Sequence, residues 1–402
     1  MSRIDDLIAE QCPGGVEHVP LSDVAEYSGS RISASNLDST TFVGVDNLVA
    51  DKGGRVDASY PPNSARLARF EPGDILLGNI RPHLKKVWLA TRTGGCSGDV
   101  LAIAIKADVR ERLSPEFLYY VLSSDKFFSY DMQHAKGAKM PRGDKAAIMG
   151  YRIPVPPLEV QREIVRILDQ FTQLEAELEA ELEARRRQYE HYRQLAMSFD
   201  DSVPRVALGD VAEVRSGWGF PNAHQGQEEG EYPFYKVSDM NLLGNETVMS
   251  IANHYVSAEV AKKLGVRPAP AGTVIFPKIG AAVATNKKRV LSVPSAYDNN
   301  VMGLVPTERV SSRFLYHWMQ TFDLSRLAND SGAVPSIRKT EAEQVLIPLP
   351  DLDTQRKVAD LLDKFDALVN DLNVGLPAEL AARRKQYEYY RDKLLTFKEA
   401  AA

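Results

Sequence analysis

A segment that occurs twice in one chain constrains the fold strongly, because both copies must find an equivalent environment. IPVPPLEVQREIVRILDQF, Ile153 to Phe171, returns as IPLPDLDTQRKVADLLDKF, Ile347 to Phe365. Pro154, Pro156, Leu158, Gln161, Arg162, Leu168, Asp169 and Phe171 stand again as Pro348, Pro350, Leu352, Gln355, Arg356, Leu362, Asp363 and Phe365. The likeness extends further: VPLSDVAEYSGS (from Val19) reappears as VALGDVAEVRSG (from Val206), and PGDILLGNI (from Pro72) as AGTVIFPKI (from Ala271). SPEFLYYVL (from Ser114) returns as SSRFLYHWM (from Ser311), and RRRQYEHYR (from Arg185) as RRKQYEYYR (from Arg383). Both halves carry the same parts in the same order, a repeat of roughly 195 residues.

In each half the first part has short β-branched or aromatic runs, Asp74 to Leu77, Val100 to Ile105 and Thr273 to Phe276, broken by Gly, Pro and Asn. That pattern predicts a compact α+β module. The period then changes. Val160, Ile164, Ile167, Phe171, Leu174 and Leu178 fall three and four apart, as do Val358, Leu361, Phe365, Leu368 and Leu372. The spacing predicts two helices of about 40 residues, roughly 60 Å each, with proline at their starts and a coiled-coil seam. Two such apolar stripes in one chain most simply cover each other antiparallel.

The expected organisation is a first module over 1–157, a spacer helix over 158–199, a second module over 200–351 and a second helix over 352–399. From Leu174 the first helix reads LEAELEAELEAR, and the second carries one more four-residue unit, with Leu368, Leu372, Leu376 and Leu380. A solvated helical face would explain the run taken alone; its matched position in both halves points to a length adjuster. Gly375 and Pro377 predict a bend or restart in the second helix. Tyr189, Tyr192, Tyr387 and Tyr390 continue the seam as packing residues.

At 44% hydrophobic and 26% charged, the chain has ordinary globular composition, and no apolar run reaches the roughly 20 residues of a membrane helix. A cytoplasmic protein is expected. Cys12 and Cys96 are too few for a disulfide framework or thiolate metal cluster, and the seven histidines form no H-E-x-x-H. No phosphate loop, dinucleotide fingerprint, nucleophile elbow, Asn-Pro-Pro-Tyr type of motif or magnesium-binding carboxylate cluster is present. The expectation is a chain without catalytic, cofactor or metal residues of its own.

Its modules do carry basic loops. NIRPHLKK and KGAKMPRGDK offer Arg81, Lys85, Lys86, Lys136, Lys139, Arg142 and Lys145 in the first module. PKIGAAVATNKKR and SIRK offer Lys278, Lys287, Lys288, Arg289, Arg338 and Lys339 in the second. Glutamates at 175, 177, 179, 181 and 183 acidify the first helix, so a net charge of -5 conceals segregated charge. Basic loops placed alike in both modules predict a nucleic acid as partner, with Lys and Arg on phosphates. Asn79, Arg81, Lys278 and Asn286 are candidates for reaching a groove. Trp218 and Phe220 suit either wedging there or anchoring their loop.

The paired IPxPxLxxQR entries, the paired QYEYYR-like endings, the tail GLPAELAARRKQYEYYRDKLLTF and the start LIAEQCPGGVEHVPLSDVAE resemble the specificity subunits of type I restriction-modification systems, over essentially the whole chain. The resemblance implies two target-recognition domains, each reading half of a bipartite, asymmetric site in double-stranded DNA, with the helices fixing the gap. It also implies two methyltransferase subunits docked around the helices and restriction subunits joining them, with S-adenosylmethionine, ATP and magnesium bound on those partners. A coiled-coil structural adaptor and a self-sufficient DNA-modifying enzyme are the alternatives; salt-dependent DNA binding separates the first, and turnover by the purified chain the second.

Overall fold

A computed structural model describes residues 3–328, 334–370 and 375–400. The chain forms two units, Met1–Glu175 with Arg383–Ala402, and Ala176–Ala382. Each is α+β, and each follows one plan.

In the first unit Ala25–Tyr27, Val100–Ile105, Ile75–Gly78 and Val87–Leu89 form an antiparallel sheet in that order. A second sheet runs Arg31–Ser33, Arg66–Phe70, Gly94–Cys96, Phe42–Val43. The second unit repeats the first sheet as Ala212–Ser216, Val301–Pro306, Val274–Pro277 and Arg289–Leu291, and adds Val248–Met249 at the edge. Its other sheet has only Tyr255–Val256, Tyr232–Tyr235 and Ala296–Tyr297. The expected strands around residues 74–77, 100–105 and 273–276 are present, and the modules differ most in their second sheets.

The duplicated segment has the same structural task in both units. Its Ile-Pro entry is a short strand, Arg152–Pro154 paired with His18–Pro20 and Leu346–Pro348 paired with Arg205–Ala207. Proline cannot donate to a continuing ladder, so the strand stops and a helix follows. One turn into the helix, Gln161 is fully buried: its Oε1 accepts from Ser114 N at 2.9 Å, and its Nε2 donates to Arg112 O and Pro156 O, both at 2.7 Å. Gln355 repeats this with Ser311 N at 2.8 Å, Arg309 O at 3.1 Å and Pro350 O at 2.9 Å. Two turns later Tyr120 donates to Asp169 at 2.6 Å, while Arg313 and His317 bind Asp363, at 2.9 and 2.6 Å. The repeat thus encodes a polar latch joining each module to the start of its long helix.

The first long helix runs unbroken over Leu158–Ala196, close to the expected 158–199. The second is corrected from one helix over 352–399 to two, Leu352–Asn370 and Leu376–Leu394. Gly375 explains the restart: its φ is +87°, and a Cβ there would sit 2.5 Å from Leu368 O. Leu372 lies outside the described residues.

Within the first unit the helices oppose each other antiparallel, Phe171 packing on Tyr387 and Tyr390 at 6.1 and 5.7 Å, and Glu175 bonding Arg384 at 2.6 Å. In the second, Phe365 meets Tyr189 and Tyr192 at 6.2 and 5.8 Å. Tyr189 and Tyr387 pack as expected, whereas Tyr192 and Tyr390 stack on the phenylalanines while remaining exposed. The seam register needs correction, for Leu174, Leu361 and Leu368 are exposed. Burial follows Val160, Gln161, Ile164 and Leu168, and Gln355, Ala359, Leu362, Asp366 and Val369. A helix covered by its own module as well as by a helix buries a wider and differently centred face than a two-helix seam.

Candidate nucleic-acid interface

The basic segments that lie far apart in sequence are adjacent in each unit. In the first, Ile80 bridges Arg142, Arg81 N donates to Pro141 O at 2.7 Å, and Gly143 N to Asn79 O at 3.0 Å. In the second, Ile279 bridges Ser336, Gly280 N donates to Pro335 O at 2.8 Å, and Ile337 N to Lys278 O at 2.8 Å. The same backbone junction recurs in both units with different side chains around it. It gathers Arg81, Lys136, Lys139, Arg142 and Lys145 on one exposed patch, and the half-buried Lys278 beside exposed Arg338 and Lys339 on the other.

Several of these cations already have partners. Lys136 pairs with Asp144, Arg142 with Asp99 at 3.0 Å and Lys339 with Glu343 at 3.5 Å. Such exposed pairs are weak and can be exchanged for a phosphate. Lys287 bonds the Asn241 side chain, Lys278 donates to Ser216 Oγ at 3.1 Å, and burial lowers the Lys278 pKa. Lys85 shares Asp125 with Lys52 and with Arg391, at 2.7, 3.1 and 2.6 Å. Burial would raise the Asp125 pKa, but hydrogen bonds from Lys85 and Arg391 and the charge of Lys52 hold the carboxyl well below the usual range. Lys86 donates to Val45 O at 2.7 Å. Lys85 and Lys86 therefore fasten loops.

Asn79, Asn286, Lys288 and Arg289 are corrected from DNA contacts to structural residues. Asn79 is buried. Asn286 takes a left-handed turn, φ +53°, and its Oδ1 accepts from Leu324 N at 2.9 Å and Lys288 Nζ at 2.7 Å. Lys288 is 0% exposed, also donates to Phe322 O at 2.6 Å, and burial pushes its pKa down to about 8. Arg289 donates to Lys288 O at 2.8 Å and Met240 O at 3.3 Å, and burial lowers its pKa. Bound this way, Asn79 and Lys288 are withdrawn from the surface, and Asn286 and Arg289 are tied to main-chain groups. Trp218 packs on Tyr297 at 5.5 Å and Phe220 stacks on Phe234 at 3.7 Å, which makes both loop anchors.

Under the first patch lie acceptors with no donor. Asp131 is 1% exposed, and neither of its carboxylate oxygens nor Asn79 Oδ1 has a partner. Burial pushes the Asp131 pKa up to about 6, opposed by His134. A Cβ on Gly143 would sit 2.4 Å from Asp131 Oδ1 and 2.9 Å from Asn79 Oδ1, so a larger residue there would have to displace those side chains. Among the described residues no three His, Cys, Asp or Glu side chains gather as a metal site, and no helix is long and apolar enough to cross a membrane.

Arg31 and Arg66 lie 35 residues apart in sequence, and the sheet pairing places them on neighbouring strands.

Residues 62–184 and 202–382 match the type I restriction modification DNA specificity domain. The chain is 32% identical to the specificity subunit of a type I restriction enzyme from Escherichia coli, over 61% of this chain and 63% of that one. It therefore aligns with less than two thirds of that relative's length. A putative type I restriction enzyme specificity subunit from Haemophilus influenzae is 31% identical over 72% of this chain and 74% of its own. Among solved structures, a chain of a type I R-M system described for its complex assembly aligns with TM-score 0.63 at 20% identity, covering 95% and 98% of the two chains. The type I S subunit from M. genitalium gives 0.52 at 16% identity, covering 94% and 96%. Both likenesses concern the fold.

Proposed function

The chain belongs to the family of type I restriction-modification specificity subunits, and from that premise we propose that it reads a bipartite, asymmetric DNA target, one half-site per module, for methyltransferase and restriction subunits assembled on it. The observation that carries this reading is the repeated junction: Ile80 on Arg142 and Ile279 on Ser336 hold basic segments together in the same way, with unlike residues around them. Phosphate contacts from exposed Lys and Arg would position the duplex, and the differing loops would read base edges. The unequal second sheets support half-sites of different sequence.

In this reading the chain is cytoplasmic and performs no chemistry. Methyl transfer from S-adenosylmethionine, ATP-driven cleavage and the magnesium they need belong to partner chains. The purified chain is expected neither to methylate nor to cut DNA, and addition of its cognate methyltransferase subunits is expected to give adenine methylation. Turnover by the isolated chain with S-adenosylmethionine or magnesium would refute this, and DNA binding indifferent to salt would favour a structural adaptor.

A further inference from the structure

We propose that a cleft between the two sheets of the first unit, lined by Arg31, Arg66 and Lys145, seats a phosphate of the DNA backbone. This rests on the DNA-reading function above and adds Arg31 and Arg66, which lie outside the basic loops, to Lys145 within one.

The cleft has a volume of about 440 Å³, and Tyr27, Ser28 and Ser97 complete its polar wall, with no carboxylate among its lining residues. Arg31–Ser33 pairs antiparallel with Arg66–Phe70, Arg31 opposite Ala68 and Ser33 opposite Arg66. Side chains alternate along strands, so Arg31 and Arg66 share one face as diagonal neighbours, about 7–8 Å apart. Both are exposed, and among the described residues neither guanidinium has a carboxylate partner. Lys145 lies with its ammonium 5.9 Å from the Tyr27 ring centre and likewise lacks a carboxylate. Three cations converging without an acid repel one another until an anion enters.

DNA is the anion that the location favours. Lys145 follows directly on the loop Lys136 to Asp144, and Tyr27 Oη donates to Lys145 O at 2.9 Å, which joins the cleft to the exposed basic patch. A duplex lying on that patch carries its next phosphates toward the cleft. The comparable arginine-lined hollow of the second unit, around Arg186, Arg193 and Arg289, also contains Glu190 and Glu246, so its charge is answered internally.

The test uses the full chain with its methyltransferase subunits, titrated with a duplex bearing its methylation motif and with a scrambled duplex, from about 50 to about 200 mM salt. Arg31→Ala/Arg66→Ala should flatten the salt dependence by about one unit on both duplexes, so that wild type loses about three- to fourfold more affinity over that range than the variant does. Arg31→Lys/Arg66→Lys should keep most of the slope, and both variants should keep the methylation motif. An unchanged slope overturns the assignment. A loss confined to the motif duplex overturns it in favour of base reading, and protection of the cleft by inorganic phosphate with no effect on either duplex overturns it in favour of a free anion. If wild type bound neither duplex, the DNA-reading function itself would fall.

Discussion

Replacing Gln161 by alanine should unlock the first module from its long helix. The side chain is fully buried and makes three hydrogen bonds, all to main-chain groups. Alanine leaves Pro156 O, which is buried, and Ser114 N and Arg112 O, which are partly buried, without these partners, and a stranded buried group costs about 1–3 kcal/mol. Water entering the gap restores part of this, so a loss of about 3–5 kcal/mol is expected, with the cavity included. Trp88 is the single tryptophan of the first unit, and Trp218 and Trp318 belong to the second. Denaturant unfolding followed by fluorescence in a Trp218→Phe/Trp318→Phe background therefore reports the first unit. Gln355→Ala, followed in a Trp88→Phe background, should weaken the second unit by a similar amount. A loss below about 1 kcal/mol for either variant would refute the latch, because that is the scale of a surface substitution.

Asp131 has a folded-state pKa near 6 against an ordinary value of 3.8, so its protonated form is favoured in the fold; its contribution is present at low pH and is lost as pH rises from about 4 through 6. Asp131→Asn, which copies the neutral form, should stabilise the first unit at pH 8 by up to about 3 kcal/mol in thermal unfolding, and destabilisation would contradict this. For Lys288 the sign reverses: its pKa falls from 10.5 to about 8, so charge is costly in the fold and stability grows as pH rises from about 8 toward 10.5. Lys288→Met should remove that rise and leave the salt slope of DNA binding unaltered; a flatter slope would return Lys288 to the DNA surface. Deleting Leu178 to Glu181 removes about 6 Å of helix and turns the remainder by about 40°. If the helix sets the spacing, the preferred gap should shorten by about one or two base pairs at 3.4 Å each, or specific binding should vanish, with both half-sites retained. An unaltered gap at full activity would mean that the helix only packs.

The repeat made the plan of the fold legible, because Gln161 and Gln355 or Asp169 and Asp363 recur only where the same bonds recur. Helix and strand positions followed from period and proline. The seam register did not, since burial of Leu362 rather than Leu361 depends on how the module covers its helix, and periodicity carries no information about that. Basic loops could be found by composition, but the depth of each cation could not: Lys287, Lys288 and Arg289 are consecutive, yet Lys288 is fully enclosed. Arg31 and Arg66 were invisible because their proximity is a property of strand register.

Mapping methylated adenines in the genome of the source organism, with and without the gene for this chain, tests the central claim most directly. The account predicts one asymmetric motif of two unlike half-sites, about three to five base pairs each, whose centres lie about 10 bp apart across a fixed gap of about 5 to 8 bp. It should disappear when the gene is removed. A continuous or palindromic motif, or a bipartite motif that persists without the chain, would contradict the account.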